Sequence, residues 1–556
     1  MLSRGFTRVA PCFLAIALLA VGCVRREPPA RDWIRDLQVE AIQDGRHDLV
    51  RWGPDPTTFV SWDSHTNRLV PVYAFGTAGG GPGVDLSSYT GANSVYRDAD
   101  RLTALYGRLP ENSIGPQADY MDLTDVAALQ RAAVAAGRRH VFVVVFDGMD
   151  WHTVRAAAIY SEARVDSGSG RGDSLHFQRY DGAGTTQFSY AVTSPTDDRH
   201  EGRVETQEVV ETGDGPFGGY DGRSGGTTPW SAGTQGEYLT GENRDGTVGH
   251  AVTDSAASAT SMFSGVKTFN GAVNVDVDGR QVTTVAHEMQ AAGFAVGLVT
   301  TVPISHATPA AAYAHGVSRY DYQDLTRDLL GLPSAAHPDD PLPGVDVLIG
   351  CGHGVVRGED RRQGKNFVPG NRYVAAEDLR QIDAEQGGNY VVARREAGVD
   401  GASGLAEAAS EAARSGRRLL GIYGSSFDGG HLPYRTADGD FLPVPSFELP
   451  EEQYTDADLL ENPTLAGMTG AALEVLSARG RSFWLMVEAG DVDWAAHDAN
   501  IDNVIGAVIS GDRAVEVITD WVEANSDWNE SLLVVTADHG HYLVIVDPEG
   551  LAGRPR

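Results

Sequence analysis

Short, nearly continuous apolar runs alternate along most of this chain with longer segments of helical periodicity. The runs at 141–146, 295–300, 345–349, 419–423, 483–487 and 532–536 read as strands. They lack the in–out alternation of a half-exposed sheet, as expected of strands covered by helices on both faces. Helical spacing marks 126–136, 283–291, 405–414, 464–478 and 504–524. Such alternation predicts an α/β fold with a mainly parallel sheet. One stretch, 165–248, is rich in Gly, Ser, Thr and Asp with little periodicity, and reads as a long, partly ordered surface insertion.

The beginning of the chain has a different pattern. Arg4 and Arg8 precede an apolar stretch over 12–21 that is too short to span a bilayer and reads as a secretory signal. Leu19-Ala20-Val21-Gly22-Cys23 resembles a bacterial lipobox. The expectation is therefore a signal peptide at 1–22, a lipid anchor at Cys23 and a linker over 23–54. An ordinary signal cut elsewhere is the alternative, and both imply export to the periplasm or cell envelope.

Composition narrows the function classes. Hydrophobic residues make up 42% and charged residues 22% of 556, which excludes collagen, coiled coil and polytopic membrane protein. The net charge of −32 repels phosphate backbones, which disfavours electrostatic nucleic-acid binding. An anionic substrate would need metals or a buried arginine to reverse the field locally. Three cysteines are too few for a disulfide framework.

The candidate chemistry lies at strand ends. The strand at 141–146 runs into Asp147, 483–487 into Glu488, and 532–536 reaches Asp538-His539 after one alanine. Carboxyl ends of parallel strands form the crevice where ligands bind. A single acidic residue there is ordinarily a turn or cap residue, whereas three on one rim suggest a cation site. Asp493 and His497 are four residues apart, so a helix would put them on one face, within reach of one ion. Alone that pair would read as a surface salt bridge; here it follows Glu488 by five residues. Oxygen and imidazole donors without thiolate suit Zn²⁺ with a harder ion such as Mg²⁺ beside it. Ser255 opens the small-residue run Ser255-Ala256-Ala257-Ser258-Ala259-Thr260, which reads as a helix whose N-terminus favours a phosphate or an alkoxide. It also reads as a plain N-cap serine. No Gly-x-Ser-x-Gly elbow surrounds it, which disfavours an acyl-transfer triad.

Five blocks in order carry a more specific resemblance: Phe146-Asp147-Gly148-Met149; the run over 253–270, TDSAASATSMFSGVKTFN; Ser305-His306-Ala307-Thr308-Pro309-Ala310-Ala311 followed by Val317-Ser318-Arg319; Val487-Glu488 with Asp493 and His497; and Thr536-Ala537-Asp538-His539. Together they resemble the alkaline phosphatases. The resemblance implies a three-layer α/β/α sandwich around a large, mainly parallel sheet. It also implies two zinc ions and one magnesium, and hydrolysis of small phosphate monoesters through a phosphoserine. By position, Asp147 would bridge the second zinc and the magnesium, with Ser255, Asp538 and His539 completing the second zinc site. Asp493 and His497 would belong to the first zinc, Thr308 and Glu488 to magnesium, with His306 at the third site. Arg319 would hold two phosphate oxygens. Family members are commonly dimers, so a homodimer is possible by resemblance. Alternatives are a phosphodiesterase of the same superfamily, or an inactive metal- or phosphate-binding lipoprotein. A sulfatase is disfavoured because Ser255 lacks the following x-Pro-x-Arg.

The family's last zinc histidine is missing from its usual place after the Asp-His block, and His541 is too close to His539 to be an easy substitute. Ser64-His65-Thr66-Asn67-Arg68-Leu69-Val70-Pro71-Val72-Tyr73-Ala74 resembles the missing segment. A circularly permuted arrangement is therefore expected within one domain over 55–556, with the family's C-terminal block at 55–108 and His65 as third ligand of the first zinc. Gly350-Cys351-Gly352-His353-Gly354 looks like a metal motif but reads as a glycine-rich turn with a buried thiol.

Overall fold

The computed structural model describes residues 33–45, 48–213, 215–231, 236–241, 249–425, 430–443, 446–447 and 451–553. The signal segment and Cys23 lie outside the described residues. Ten strands form one sheet: β1 (Val70–Phe75), β2 (Met121–Asp122), β3 (His140–Phe146), β4 (Gln187–Val192), β5 (Ala295–Pro303), β6 (Val347–Cys351), β7 (Tyr390–Arg394), β8 (Arg418–Ile422), β9 (Phe483–Ala489) and β10 (Ser531–Thr536). Their spatial order is β7-β8-β6-β5-β9-β3-β10-β1-β4-β2. The seven strands from β7 to β10 are parallel, and β1 runs antiparallel between β10 and β4. All six strands expected from apolar runs belong to the parallel block.

Every residue of β3, β9 and β10 is buried, which accounts for their unbroken apolar character. Two sets of helices cover the sheet, giving three layers. Gly401–Ser415, Leu465–Ala478 and Ile501–Asn525 pack in sequence, while Thr124–Ala135, Ser255–Ser264, Val285–Ala291 and Ala307–Ala311 form the other set. Contact between Ile501–Asn525 and β3 is tight. A Cβ added at Gly511 would sit 2.2 Å from Phe146 Cε1, so a side chain there would displace the residue preceding Asp147.

Two segments differ from their expected roles. The stretch 23–54 is not simply a linker: Trp33–Asp44 is a helix that buries Ile34 and Ala41, and Val50–Trp52 pairs antiparallel with Leu543–Ile545. Nor is 165–248 wholly a surface insertion, because it contributes β4 to the main sheet. Only the last four residues of β4 are buried, and its two half-exposed leading positions weaken the apolar signal.

Candidate active site

The parallel strands β9, β3 and β10 are adjacent, so their carboxyl ends deliver Glu488, Asp147 and Asp538-His539 to one rim. Strand β1 runs the opposite way. Thr536 at the end of β10 pairs with Val72 near the start of β1, so the chain just before β1 lies on that same rim. His65 occupies that position. A two-stranded ladder also aligns His65 with His541 and Thr66 with Gly540. The antiparallel direction of one strand thus brings together side chains that are hundreds of residues apart in sequence.

The helix Asp491–His497 presents Asp493 and His497 on one face, as their spacing predicts. His65 Nε2 lies 3.1 Å from His497 Nε2 and 3.5 Å from Asp493 Oδ1, and His497 Nε2 is also 3.5 Å from that oxygen. Each ring is oriented by its other nitrogen. His65 Nδ1 donates to the Thr253 carbonyl at 2.9 Å, and His497 Nδ1 donates to the Asp63 carbonyl at 2.9 Å. In neutral rings both Nε2 atoms then carry lone pairs and face each other, an arrangement a shared cation reconciles.

The second group shares His539. Its Nε2 is 3.2 Å from Asp147 Oδ1, 3.5 Å from Asp538 Oδ2 and 3.3 Å from Ser255 Oγ. Both oxygens of Asp147, Oδ2 of Asp538 and Oε1 of Glu488 are buried without a hydrogen-bond partner. Left uncompensated, each such oxygen costs about 1–3 kcal/mol, more if charged. Burial, together with the charges of Asp493, Asp538 and Glu488, holds the Asp147 carboxyl well above its ordinary range. Glu488 is pushed up to about 8 by burial, against the hydroxyls of Thr300 and Thr308. Burial also raises Asp493, but the imidazoles of His497, His541 and His65 outweigh it and hold that carboxyl well below its usual value. The donor set, the orphaned oxygens and the opposed lone pairs all fit divalent cations.

Gly148 lets the backbone pass beneath this cluster. Its φ is +74°, and a Cβ there would meet His541 at 2.9 Å and Asp493 Cα at 3.0 Å. Its N–H donates to Asp538 Oδ1 at 3.0 Å.

Ser255 is the first residue of the helix Ser255–Ser264, which begins at the N-cap Asp254 and stops at Gly265 in the left-handed conformation. Asp254 has two tasks. One oxygen caps Ala257 N–H at 3.0 Å, and the other accepts from Arg319 Nη1 at 2.9 Å. Burial works against the Arg319 charge, but Asp254 more than offsets it and keeps the guanidinium cationic. Arg319 Nε has no hydrogen-bond partner, and Arg319 and Ser255 line the same cleft of about 650 Å³.

Not every expected ligand joins the two groups. Thr308 is buried and lowers the pKa of Glu488. His306, expected at the third ion, packs edge-on against Trp494 with ring centroids 5.4 Å apart and stands in neither group. Sequence reasoning set aside His541, yet its Nε2 lies 2.8 Å from Asp493 Oδ1. The missed signal was its spacing: residues two apart in extended chain share a face, so His539 and His541 both turn to the rim. Arg362, Arg372 and the rings of Tyr320, Tyr322 and Tyr373 also line the cleft and gave no motif. Arg362 and Arg372 thus place positive charge in the cleft of an otherwise acidic chain.

Comparison with known proteins bears on this geometry. The family model "Alkaline phosphatase" matches residues 224–551. The chain belongs to the alkaline phosphatase family. It is 32% identical over 308 residues to the alkaline phosphatase of Escherichia coli, covering 54% of this chain and 60% of that protein. It is 28% identical over 292 residues to alkaline phosphatase 4 of Bacillus subtilis, covering 52% and 49%. The chain thus spans about half the length of the curated relatives it matches. Thermus thermophilus alkaline phosphatase is a similar solved structure, with a TM-score of 0.43 and 23% identity over 73% of this chain and 60% of that one. The matched family span includes Ser255, Arg319 and the residues from Glu488 to His539, whereas Asp147 and His65 lie outside it and reach the cluster through the fold.

Proposed function

We propose that this chain is an exported, metal-dependent phosphomonoesterase that forms a phosphoserine on Ser255. The observation that carries this is Ser255 Oγ, 3.3 Å from His539 Nε2 at the edge of the two ligand groups, with the Asp254-anchored Arg319 in the same cleft. His65, Asp493 and His497 would hold one zinc, and Asp147, Asp538, His539 and Ser255 the other. Glu488 and Thr308 would hold a magnesium ion. Divalent ions there would lower the pKa of a bound hydroxyl or water and neutralise charge on the transferring group.

The chain's own residues supply the positioning. Helix Ser255–Ser264 directs its free N–H groups and positive dipole end towards a phosphate at Ser255. Arg319 presents its guanidinium to non-bridging phosphate oxygens, and Asp254 fixes its plane. Thr253 and Asp63, through backbone carbonyls, orient the His65 and His497 rings. The same reading gives the 55–108 segment the place of the family's C-terminal block, supported by the β1–β10 pairing and the position of His65. No helix among the described residues is long and apolar enough to cross a membrane.

The deciding assay is p-nitrophenyl phosphate turnover before and after chelation. Activity should vanish on chelation and return with zinc and magnesium. Turnover unaffected by exhaustive chelation, or absent from the fully loaded protein, would exclude this reading. A second expectation concerns Arg319→Ala. Monoester kcat/KM should fall by about 10²-fold or more, since one charge-assisted contact in a closed site is worth several kcal/mol. A diester has one fewer charged non-bridging oxygen for the guanidinium and should lose far less. Equal losses on p-nitrophenyl phosphate and bis-p-nitrophenyl phosphate would remove the argument for a monoester enzyme.

A further inference from the structure

A second set of metal-type donors lies outside the cleft, around the helix Tyr322–Leu330. His315 precedes this helix, Asp328 lies in its last turn, and His337 follows it. One donor atom from each falls within 4.8 Å of the others. His315 Nδ1 is 2.9 Å from His337 Nε2, and His337 Nε2 is 3.9 Å from Asp328 Oδ2. None of the three residues lines the active-site cleft.

Each of the three groups has partners of its own. His315 Nε2–H donates to the Val282 carbonyl at 3.0 Å, which leaves the lone pair on Nδ1, the nitrogen facing His337. Asp328 accepts the His315 backbone N–H at 2.9 Å on one oxygen and the Ser334 hydroxyl on the other. Ser334 Oγ in turn accepts the His337 backbone N–H at 3.0 Å, closing the loop that carries the second imidazole. Asp328 is fully buried, while the His337 side chain is 13% exposed, which gives an ion and a water molecule access. Asp324 and Asp340 add negative field at His337.

We propose that His315, Asp328 and His337 form a further zinc-class site separate from the catalytic cluster, with water in the fourth position. Two imidazoles and one carboxylate without thiolate are a borderline donor set of the zinc type. Ligand atoms around a tetrahedral zinc stand roughly 3.3 Å apart for bonds of about 2.05 Å, and the 2.9 and 3.9 Å separations bracket that spacing. The site would clamp the end of helix Tyr322–Leu330 to the segment leading into Arg319, four residues after His315.

The test uses the full-length protein loaded with zinc. Anomalous diffraction at the zinc edge should give a peak about 2.0–2.2 Å from His315 Nδ1, Asp328 Oδ2 and His337 Nε2, in addition to peaks in the active site. His337→Ala should bind one zinc equivalent fewer than wild type and lose part of the zinc-dependent rise in melting temperature, while keeping the active-site ions. Active-site peaks with none at His315 would overturn the proposal, as would equal zinc content in the variant and wild type. The wild-type diffraction experiment decides the matter even if the variant fails to fold.

Discussion

Ser255→Ala is expected to lower turnover of p-nitrophenyl phosphate at least about 10³-fold, a loss of roughly 4 kcal/mol in transition-state stabilisation, while leaving the fold intact. The hydroxyl is what distinguishes the two side chains. Ser255 lies in a buried helix rich in alanine, and the N-cap bond to Ala257 belongs to Asp254, so alanine removes neither cap nor packing. No labelled phosphate should remain on the variant after acid quenching of a reaction with labelled substrate. A variant with near-full activity, or one that still traps phosphate, would show that another group is the nucleophile.

His65→Ala is expected to remove one zinc equivalent and slow steady-state turnover severely, while Ser255 still becomes phosphorylated. Changes to groups that merely orient a ligand commonly cost 10–100-fold in metal affinity, so loss of a direct donor should exceed about 100-fold. His65 stands against Asp493 and His497, not against Ser255, so the loss should fall mainly on breakdown of the phosphoserine. Metal analysis and the level of trapped phosphoserine check this together. Zinc content equal to wild type would remove His65 from the site and, with it, the assignment of the 55–108 segment.

Much of the rim was legible because β3, β9 and β10 are buried on both faces and therefore unbroken apolar runs, each ending at a chemically active residue. The spacing of Asp493 and His497 was equally readable, since a helix converts four residues into one face. Other parts carried weak local signals. Strand β4 begins at half-exposed Gln187 and Phe188 in a glycine-rich stretch, and β7 is an edge strand with exposed Arg394. His541 was set aside on its distance in sequence from His539, although extended chain places the two on one side. His315 and His337 are 22 residues apart with no periodic relation, and a helix and two loops bring them together.

The antiparallel strand β1 also has a consequence for chain connectivity. His65 and His497 are 432 positions apart, and an ion held between them closes that entire length into a loop. In the chain-entropy treatment of covalent cross-links, closing so large a loop restricts the unfolded ensemble by about 6 kcal/mol. A chain with three cysteines has almost no means of obtaining this from disulfides. If they coordinate an ion as proposed, the two histidines would act as a reversible staple, fastening the segment before β1 to the helix that follows β9 and making the order of the rim depend on that ion.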